Sequence, residues 1–319
     1  MAFDLLALVK DAKTIGITGH LNPDGDCIGS TFAMALFLEK AVPGAKVEVF
    51  LEKPEKAFDH IPYRDRLITD FPERDAFDVF IVCDTNYERI SDSKKYFDAA
   101  KRTINIDHHI SNAKGTGEYN YVIPEASACA EIITSLIPDT MLDATIAQLL
   151  YMGIAHDTGV FHFSNTSPQT MRTCARLLEY EFDFAKLLDD TFYTRTNLQN
   201  MMMGHALMHS RFYLDGRVIV ASADLALMAE LGTGRDETGG IVERLRVTEG
   251  VDCSVYFYEK TPGHFKGSLR SSSDAVNVAK VCEAFGGGGH ARAAGCEYTG
   301  PLSEFEAKLI EEISKQYRS

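Results

Sequence analysis

The sequence has no apolar run approaching the roughly 20 residues that span a bilayer, and its amino terminus shows neither a basic stretch nor a small-residue cleavage site. These absences predict a cytoplasmic protein with no membrane segment. There is no CxxC pair and no zinc-knuckle spacing. Cys27, Cys83, Cys129, Cys174, Cys253, Cys282 and Cys296 are scattered singly along the chain. An odd, dispersed set reads as reduced thiols filling small apolar spaces, not as a disulfide framework. An excess of basic charge is missing too. With 32 Lys+Arg against 46 Asp+Glu, the net charge of -14 argues against an extended grip on long duplex nucleic acid, which requires a basic face. Internal repeats and low-complexity tracts are also lacking.

What is present is a globular composition, 45% hydrophobic and 24% charged over 319 residues. Single cores stop growing at roughly 250 to 300 residues, so two domains are expected. The charge is divided unevenly. Residues 1–205 hold 19 basic against 30 acidic side chains, net -11, and residues 206–319 hold 13 against 16, net -3. Such a split suits a first half that gathers carboxylates for cations and a second half that accepts an anion, although a solvated acidic surface produces the same numbers.

Short β-rich runs alternate with helical patterns through the first half. Strands are predicted at 14–20, 46–51, 78–84 and 103–109, and helices at 27–41, 128–137, 143–156, 168–180 and 182–207. Ser167 is the expected cap ahead of Pro168. Alternation of this kind implies an α/β fold whose N-terminal domain is a doubly wound parallel sheet. The second half predicts a strand near 217–223, a helix at 239–247, a hairpin of strands 251–260 and 264–271 around Thr261-Pro262-Gly263, and helices at 277–285 and 302–317. This is a smaller α/β domain with a mixed sheet. The expected layout is 1–188, a helical linker 189–212 whose methionines 201–203 are filler, and 213–319, with the active site in the cleft between the domains.

Chemistry-bearing residues fall at the predicted strand ends. The first strand runs into His20-Leu-Asn-Pro-Asp24-Gly-Asp26, the third into Cys83-Asp84 and the fourth into Asp107-His108-His109. A later helix carries His156-Asp157-Thr-Gly. Ligands of open parallel sheets bind at the carboxyl ends of the strands, so one crevice can hold all four clusters. Several carboxylates cannot share a cleft ionised without cations, and a mixed set of aspartates and imidazoles suits divalent metals. Pro23 and Gly25 favour a tight turn that lets Asp24 and Asp26 serve neighbouring ions; Gly25 supplies either a positive φ or a close approach. Taken singly, each cluster is equally a turn, a helix cap or a surface pair. In the second half, Gly286 to Gly289 ahead of His290 allow backbone amides to approach a phosphate, and Arg270 offers a guanidinium fork. Arg292 lies nearby; Ser271 and Asn277 are weaker candidates.

His20-Leu-Asn-Pro-Asp24-Gly-Asp26-Cys-Ile-Gly-Ser, Val82-Cys-Asp84, Ile106-Asp107-His108-His109 and Gly153-Ile-Ala-His-Asp157-Thr-Gly resemble the four motifs of the DHH phosphoesterase superfamily. Phe285-Gly-Gly-Gly-Gly289-His290-Ala-Arg292-Ala-Ala-Gly295 is similar to the signature of its associated C-terminal domain. The resemblance covers nearly the whole chain, and its compact layout resembles the bacterial nanoRNases that degrade short oligoribonucleotides and dephosphorylate pAp. It implies two divalent ions, Mn above Mg or Co. His20, Asp24 and Asp84 would hold one; Asp26, Asp84, His108 and Asp157 would hold the other, with Asp84 bridging. It further implies that Asp107 orients a ligating imidazole, that His109 faces the substrate phosphate, and that Arg270, Ser271, Gly287, Gly288, Gly289, His290 and Arg292 bind substrate. His156 would be a neighbour and not a ligand.

The implied substrates are short RNA oligonucleotides, dinucleotides and pAp, released as mononucleotides by metal-activated water. Other readings are a cyclic or linear dinucleotide phosphodiesterase, a manganese pyrophosphatase, against which the glycine run speaks, and a nucleotide-binding regulator without catalysis, against which the complete ligand set speaks. A homodimer is compatible with the resemblance, though no sequence feature argues for it.

Overall fold

Strands that are apolar on both faces must lie inside a sheet covered on both sides, and the central strands of this chain are of that kind. The computed structural model describes residues 3–317. They form two compact units, divided between Thr194 and Arg195.

The first unit contains α1 (Leu5–Val9), β1 (Thr14–Thr18), α2 (Gly25–Ala41), β2 (Lys46–Phe50), β3 (Val79–Cys83), α3 (Lys94–Ala99), β4 (Thr103–Asp107), β5 (Tyr119–Val122), α4 (Cys129–Leu136), α5 (Ala144–Asp157), α6 (Pro168–Leu178) and α7 (Phe184–Leu188). The strands make one parallel sheet in the order β2-β1-β3-β4-β5. Alternate residues of β3 serve different cores. Val79, Ile81 and Cys83 pack with α2, α4 and α5, whereas Phe80 and Val82 pack with Phe50, Phe77 and Tyr96. Strand order reverses between β1 and β3, the place where doubly wound sheets bind ligands.

Small residues set the helix layer. A Cβ on Gly29 of α2 would stand 2.3 Å from the carbonyl oxygen of Leu149 in α5, and one on Gly25 would stand 2.2 Å from the His156 ring. A Cβ on Gly153 of α5 would meet Ala130 of α4 at 2.7 Å and Asp26 Oδ1 at 2.8 Å. The N-terminus of α2 therefore lies against the C-terminus of α5. Gly25 serves as a close approach; the left-handed backbone in this loop falls on Asn22 instead, with φ 53°.

The second unit contains α8 (Asn197–Met208), β6 (Arg211–Tyr213), β7 (Val218–Ala223), α9 (Leu225–Leu231), α10 (Ile241–Arg246), β8 (Cys253–Thr261), β9 (His264–Ser271), α11 (Val278–Glu283), β10 (Gly288–His290), β11 (Ala293–Thr299) and α12 (Leu302–Gln316). Its mixed sheet has the order β10-β11-β9-β8-β7-β6, with β7 and β8 parallel and the other neighbours antiparallel. Helices α11 and α12 cover Val255 and Phe257 on one face; α8, α9 and α10 cover Tyr256 and Tyr258 on the other.

The single helix expected at 182–207 is corrected to two. Helix α7 runs into a widened turn, Asp189–Tyr193, and Thr194 is extended. Thr196 then starts α8 through a reciprocal capping box with Gln199. The dividing point lies inside the expected linker, and α8 packs with the second unit through Met202 and Ala206. The sequence reading also omits β5, β6 and β10, which are short, β11, which follows just past the glycine run, and the short helices α1, α3 and α9. All seven cysteines are free and buried, as expected. Among the described residues, no helix is long and apolar enough to cross a membrane.

Gly29→Ala is expected to lower unfolding free energy by about 1–3 kcal/mol, because the obstructing atom is backbone and cannot rotate away. In contrast, Gly204→Ala in α8, where a Cβ meets nothing within 4 Å, should raise it by about 0.5–1 kcal/mol. Urea denaturation of the two variants measures both; equal effects would contradict the packing described.

Candidate metal centre

The turn after β1 builds the first part of the site. Asp24 is the N-cap of α2, its Oδ1 accepting from the amides of Asp26 and Cys27 at 3.1 Å each. Asp26, one residue inside the helix, is fully buried. Its Oδ1 accepts from Ala130 N at 2.9 Å and Ser30 Oγ at 3.1 Å, and its Oδ2 accepts from Cys129 N at 2.6 Å. The amides at the start of α4, which have no partner within the helix, thus hold a carboxylate that burial would otherwise expel.

Two imidazoles face these carboxylates with their lone pairs. His20 Nδ1 donates to Leu21 O at 2.8 Å, so Nε2 is directed at Asp24 Oδ1 (3.4 Å) and Asp84 Oδ2 (3.5 Å). His108 Nδ1 donates to Ala126 O at 3.3 Å. Its Nε2 faces Asp84 Oδ1 at 3.3 Å, Asp157 Oδ2 at 3.3 Å and Asp26 Oδ2 at 4.0 Å. A backbone carbonyl that fixes one ring nitrogen as donor leaves the other as a ligand, the usual arrangement of metal-binding histidines. Asp84, just past β3, sits between the two rings in the left-handed region, φ 59°, a conformation rare outside glycine. Its Oδ1 is buried and accepts no hydrogen bond.

Lone pairs directed at carboxylate oxygens from 3.3–3.5 Å require a positive charge between them. In the chain without cations, protons meet that requirement. Burial pulls His20 down, but Asp24 and Asp84 outweigh it and lift the imidazole to about 10. Burial likewise opposes protonation of His108, and Asp84, Asp26 and Asp157 overcome it, again to about 10. Burial, with Asp84 and Asp24 nearby, raises the Asp157 carboxyl to about 7 against the pull of His108. Burial also pushes Asp26 well above the usual carboxylate range, and Asp84 and Asp157 push the same way. The donor set therefore fits divalent cations, which neutralise several carboxylates at once. Candidate ligand groups are His20 with Cys27 and Asp84; Asp84 with His108 and His109; and Asp26 with His108 and Asp157.

Asp107 supports the second of the two adjacent rings: its Oδ1 lies 2.8 Å from Nδ1 of His109 and accepts the amides of His108 and His109. The geometric reason is that β4 ends at Asp107 and the chain turns back over its carboxylate, while His108 is already held by Ala126. Asn112 Nδ2 anchors Asp107 Oδ2 at 2.6 Å. The Asp107 hydrogen bond raises the His109 pKa. His156 is a neighbour, packed between Phe58 and Phe192 with Nε2 3.1 Å from Thr191 Oγ1. Burial lowers it to about 4.

In the second unit, Gly288, Gly289 and His290 lie on an exposed edge strand. A Cβ on Gly287 would meet Gly295 O at 2.3 Å and one on Gly289, φ 147°, would meet Ala293 O at 2.5 Å, whereas one on Gly288 meets nothing within 4 Å. Two expected substrate contacts have partners within the protein. Ser271 is buried and donates to Ser273 O at 2.7 Å. Arg270 is paired with Glu243 at 2.7 Å and donates to Leu269 O at 3.0 Å. Arg292 is exposed and paired with Asp274 at 2.8 Å. Asn277 is the N-cap of α11. Sequence reading missed Cys27 as a neighbour of the centre, Asn112 as the anchor of Asp107 and Glu243 as the partner of Arg270. Only Cys27, beside Asp26 at the helix start, carried a signal.

Fold and site define a doubly wound α/β protein with a carboxylate–imidazole centre at the switch point of its sheet. Comparison with known proteins places it further. The DHH family, N-terminal domain, matches residues 14–154, and the DHHA1 domain matches residues 215–319. The chain is 30% identical to the probable bifunctional oligoribonuclease and PAP phosphatase NrnA of Streptococcus mutans, over 91% of each chain. It is 27% identical to the bifunctional oligoribonuclease and PAP phosphatase NrnA of Bacillus subtilis, over 92% of each. A solved structure of an exopolyphosphatase-related protein from Bacteroides fragilis superimposes with a TM-score of 0.89 at 23% identity, covering 98% of this chain and 95% of that one. The chain belongs to the DHH family, a family of phosphoester hydrolases.

Folded-state values above 6.5 for His20 and His108 mean that their protons stabilise the cation-free fold fully below about 6.5 and cease to do so as pH rises toward about 10. Asp157 loses its contribution earlier, between about 3.8 and about 7. The melting temperature of the chelator-treated protein should therefore fall from pH 7 to pH 10. Divalent cation should flatten that slope and bind more tightly as pH rises; a rising melting temperature without cation would contradict this account.

Proposed function

We propose that the chain is a divalent-metal-dependent phosphoesterase of the cytoplasm that cleaves short oligoribonucleotides and dinucleotides to mononucleotides and removes a phosphate from pAp. The observation that carries this reading is the convergence of Asp24, Asp26, Asp84 and Asp157 on two imidazoles whose Nε2 atoms point inward. The names of the Streptococcus mutans and Bacillus subtilis relatives supply the substrate class. His20, Asp24 and Asp84 would hold one ion and Asp26, Asp84, His108 and Asp157 the other, with manganese favoured. When bound, the two ions supply the Lewis acid that lowers the pKa of an attacking water and neutralises charge at phosphorus.

The chain's own residues do the rest. Asp107 fixes His109 by its Nδ1, leaving Nε2 to face substrate, and the hydrogen bond to Asp107 raises the imidazole's pKa. The ring donates to a phosphate oxygen or to the leaving ribose oxygen. In the second unit, Gly287 and Gly289 are bare because backbone packs against them. No internal contact requires Gly288 to be bare, which supports a role in letting an anion reach the edge amides beside His290. An overall charge of -14 favours short substrates over long polymers.

Release of mononucleotide from an RNA dinucleotide, run beside pAp, pyrophosphate and a cyclic dinucleotide, tests the reading with manganese and with chelator. Metal-dependent cleavage of the dinucleotide, abolished in Asp84→Ala, is expected; activity confined to pyrophosphate would overturn it. His109→Ala should lower kcat by about 10²- to 10⁴-fold with the metal content retained. Gly288→Ala should leave the melting temperature unchanged and raise KM roughly tenfold or more, the cost of an obstructed anion contact; an unchanged KM would remove the glycine run from the substrate site.

A further inference from the structure

The thiol of Cys27 is placed unlike those of the other cysteines. It lies in the first turn of α2 between Asp26 and Ile28 and is fully buried. Yet its sulfur belongs to a polar group: Sγ of Cys27 and ligand atoms of His20 and Asp84 all lie within 4.8 Å of one another. Gly19 is bare on its account, since a Cβ there would stand 2.2 Å from the sulfur. Among the described residues, no other cysteine joins such a group. Cys129 sits nearby but donates its thiol to Ile106 O at 3.3 Å.

We infer that Cys27 is a sulfur donor to the ion held by His20, Asp24 and Asp84, and that it biases this half of the centre toward softer divalent ions such as zinc or cobalt. The inference rests on the metal reading of the site given above. His20 offers Nε2, Asp84 offers Oδ2, and the helix start holds the Asp24 carboxylate alongside. Adding sulfur converts a nitrogen–oxygen site, which suits manganese or magnesium, into a mixed site of the type that zinc occupies. On coordination the thiol proton leaves to solvent and the S–metal bond takes its place; nothing is oxidised. Asp26, Asp157 and His108 contribute no sulfur, so the second ion keeps the harder preference. The two halves of the centre thus differ in their selectivity.

X-ray absorption at the zinc edge, on the full chain loaded with zinc, reads the donor set directly. One sulfur scatterer at about 2.3 Å is expected; it should vanish in Cys27→Ala and persist in Cys174→Ala. In competition experiments, Cys27→Ala should reduce the preference for zinc over manganese by roughly 10- to 100-fold, and Cys27→Ser should fall between it and the parent chain. Bound zinc with only nitrogen and oxygen neighbours in the unmutated protein overturns the sulfur ligand while leaving the metal centre standing. Sulfur scattering that survives in Cys27→Ala overturns it likewise. Failure of the chain to bind zinc or manganese at all would overturn both.

Discussion

Four carboxylates, those of Asp24, Asp26, Asp84 and Asp157, converge on one space, Asp26 and Asp84 out of reach of solvent, and cannot all stay ionised there without positive charge; the rest of the first unit is arranged around that requirement. Part of the compensation is permanent. The α2 amides serve Asp24, and the α4 amides serve both oxygens of Asp26. Part is left open, at the buried Oδ1 of Asp84 and at the inward nitrogens of His20 and His108. Backbone amides cannot be withdrawn, whereas protons and cations can exchange in the remaining space. That difference separates a structural carboxylate from a reactive one within a single cluster.

Bringing these groups together from distant parts of the sequence depends on glycine. Asp26 rides on α2 and Asp157 ends α5, and the two helices approach closely only because Gly25, Gly29 and Gly153 present no side chain at the contact. An alanine at any of the three would have to displace either a helix backbone, the His156 ring or Asp26 itself. The His156 ring, partly buried and held neutral near its own helix end, fills the space above Gly25 without adding charge to the site. Packing and electrostatics are therefore one constraint here: the contact that tightens the core also sets the spacing of the ligands.

Much of this could be read before any coordinates. Strands 14–18, 79–83 and 103–107 announce themselves by continuous apolar runs, and their ends carry His20, Asp84 and Asp107 where a parallel sheet places its ligands. The hairpin of β8 and β9 followed from Pro262 and Gly263, and the capping of α6 from Ser167. What escaped was the information held in partners far apart in sequence. Arg270 looked like a free fork because nothing in the chain announces that Glu243 lies across from it. Spacing alone could not tell which of two adjacent rings Asp107 would meet. Cys27 was read as a small hydrophobe, correct for its burial and incomplete for its neighbours. The helix break at Thr194 did have a local signal, the Thr196-to-Gln199 capping box, which the apolar periodicity around it masked.

The division of charge between the two halves of the sequence acquires a meaning from this chemistry. Two divalent cations would carry four positive charges, no more than the four carboxylates and any further anionic ligand carry in negative charge, so a loaded centre offers a phosphate little net attraction beyond the bonds made directly to it. Attraction must come from groups outside that balance. His109, held by the Asp107 and Asn112 pair, is one such group in the first unit. The second unit is the less acidic one, net -3 over residues 206–319, and its exposed edge strand places His290 and unobstructed glycine backbone side by side. The carboxylate–imidazole centre and the unobstructed, less acidic backbone edge thus lie in different units, each with its own core.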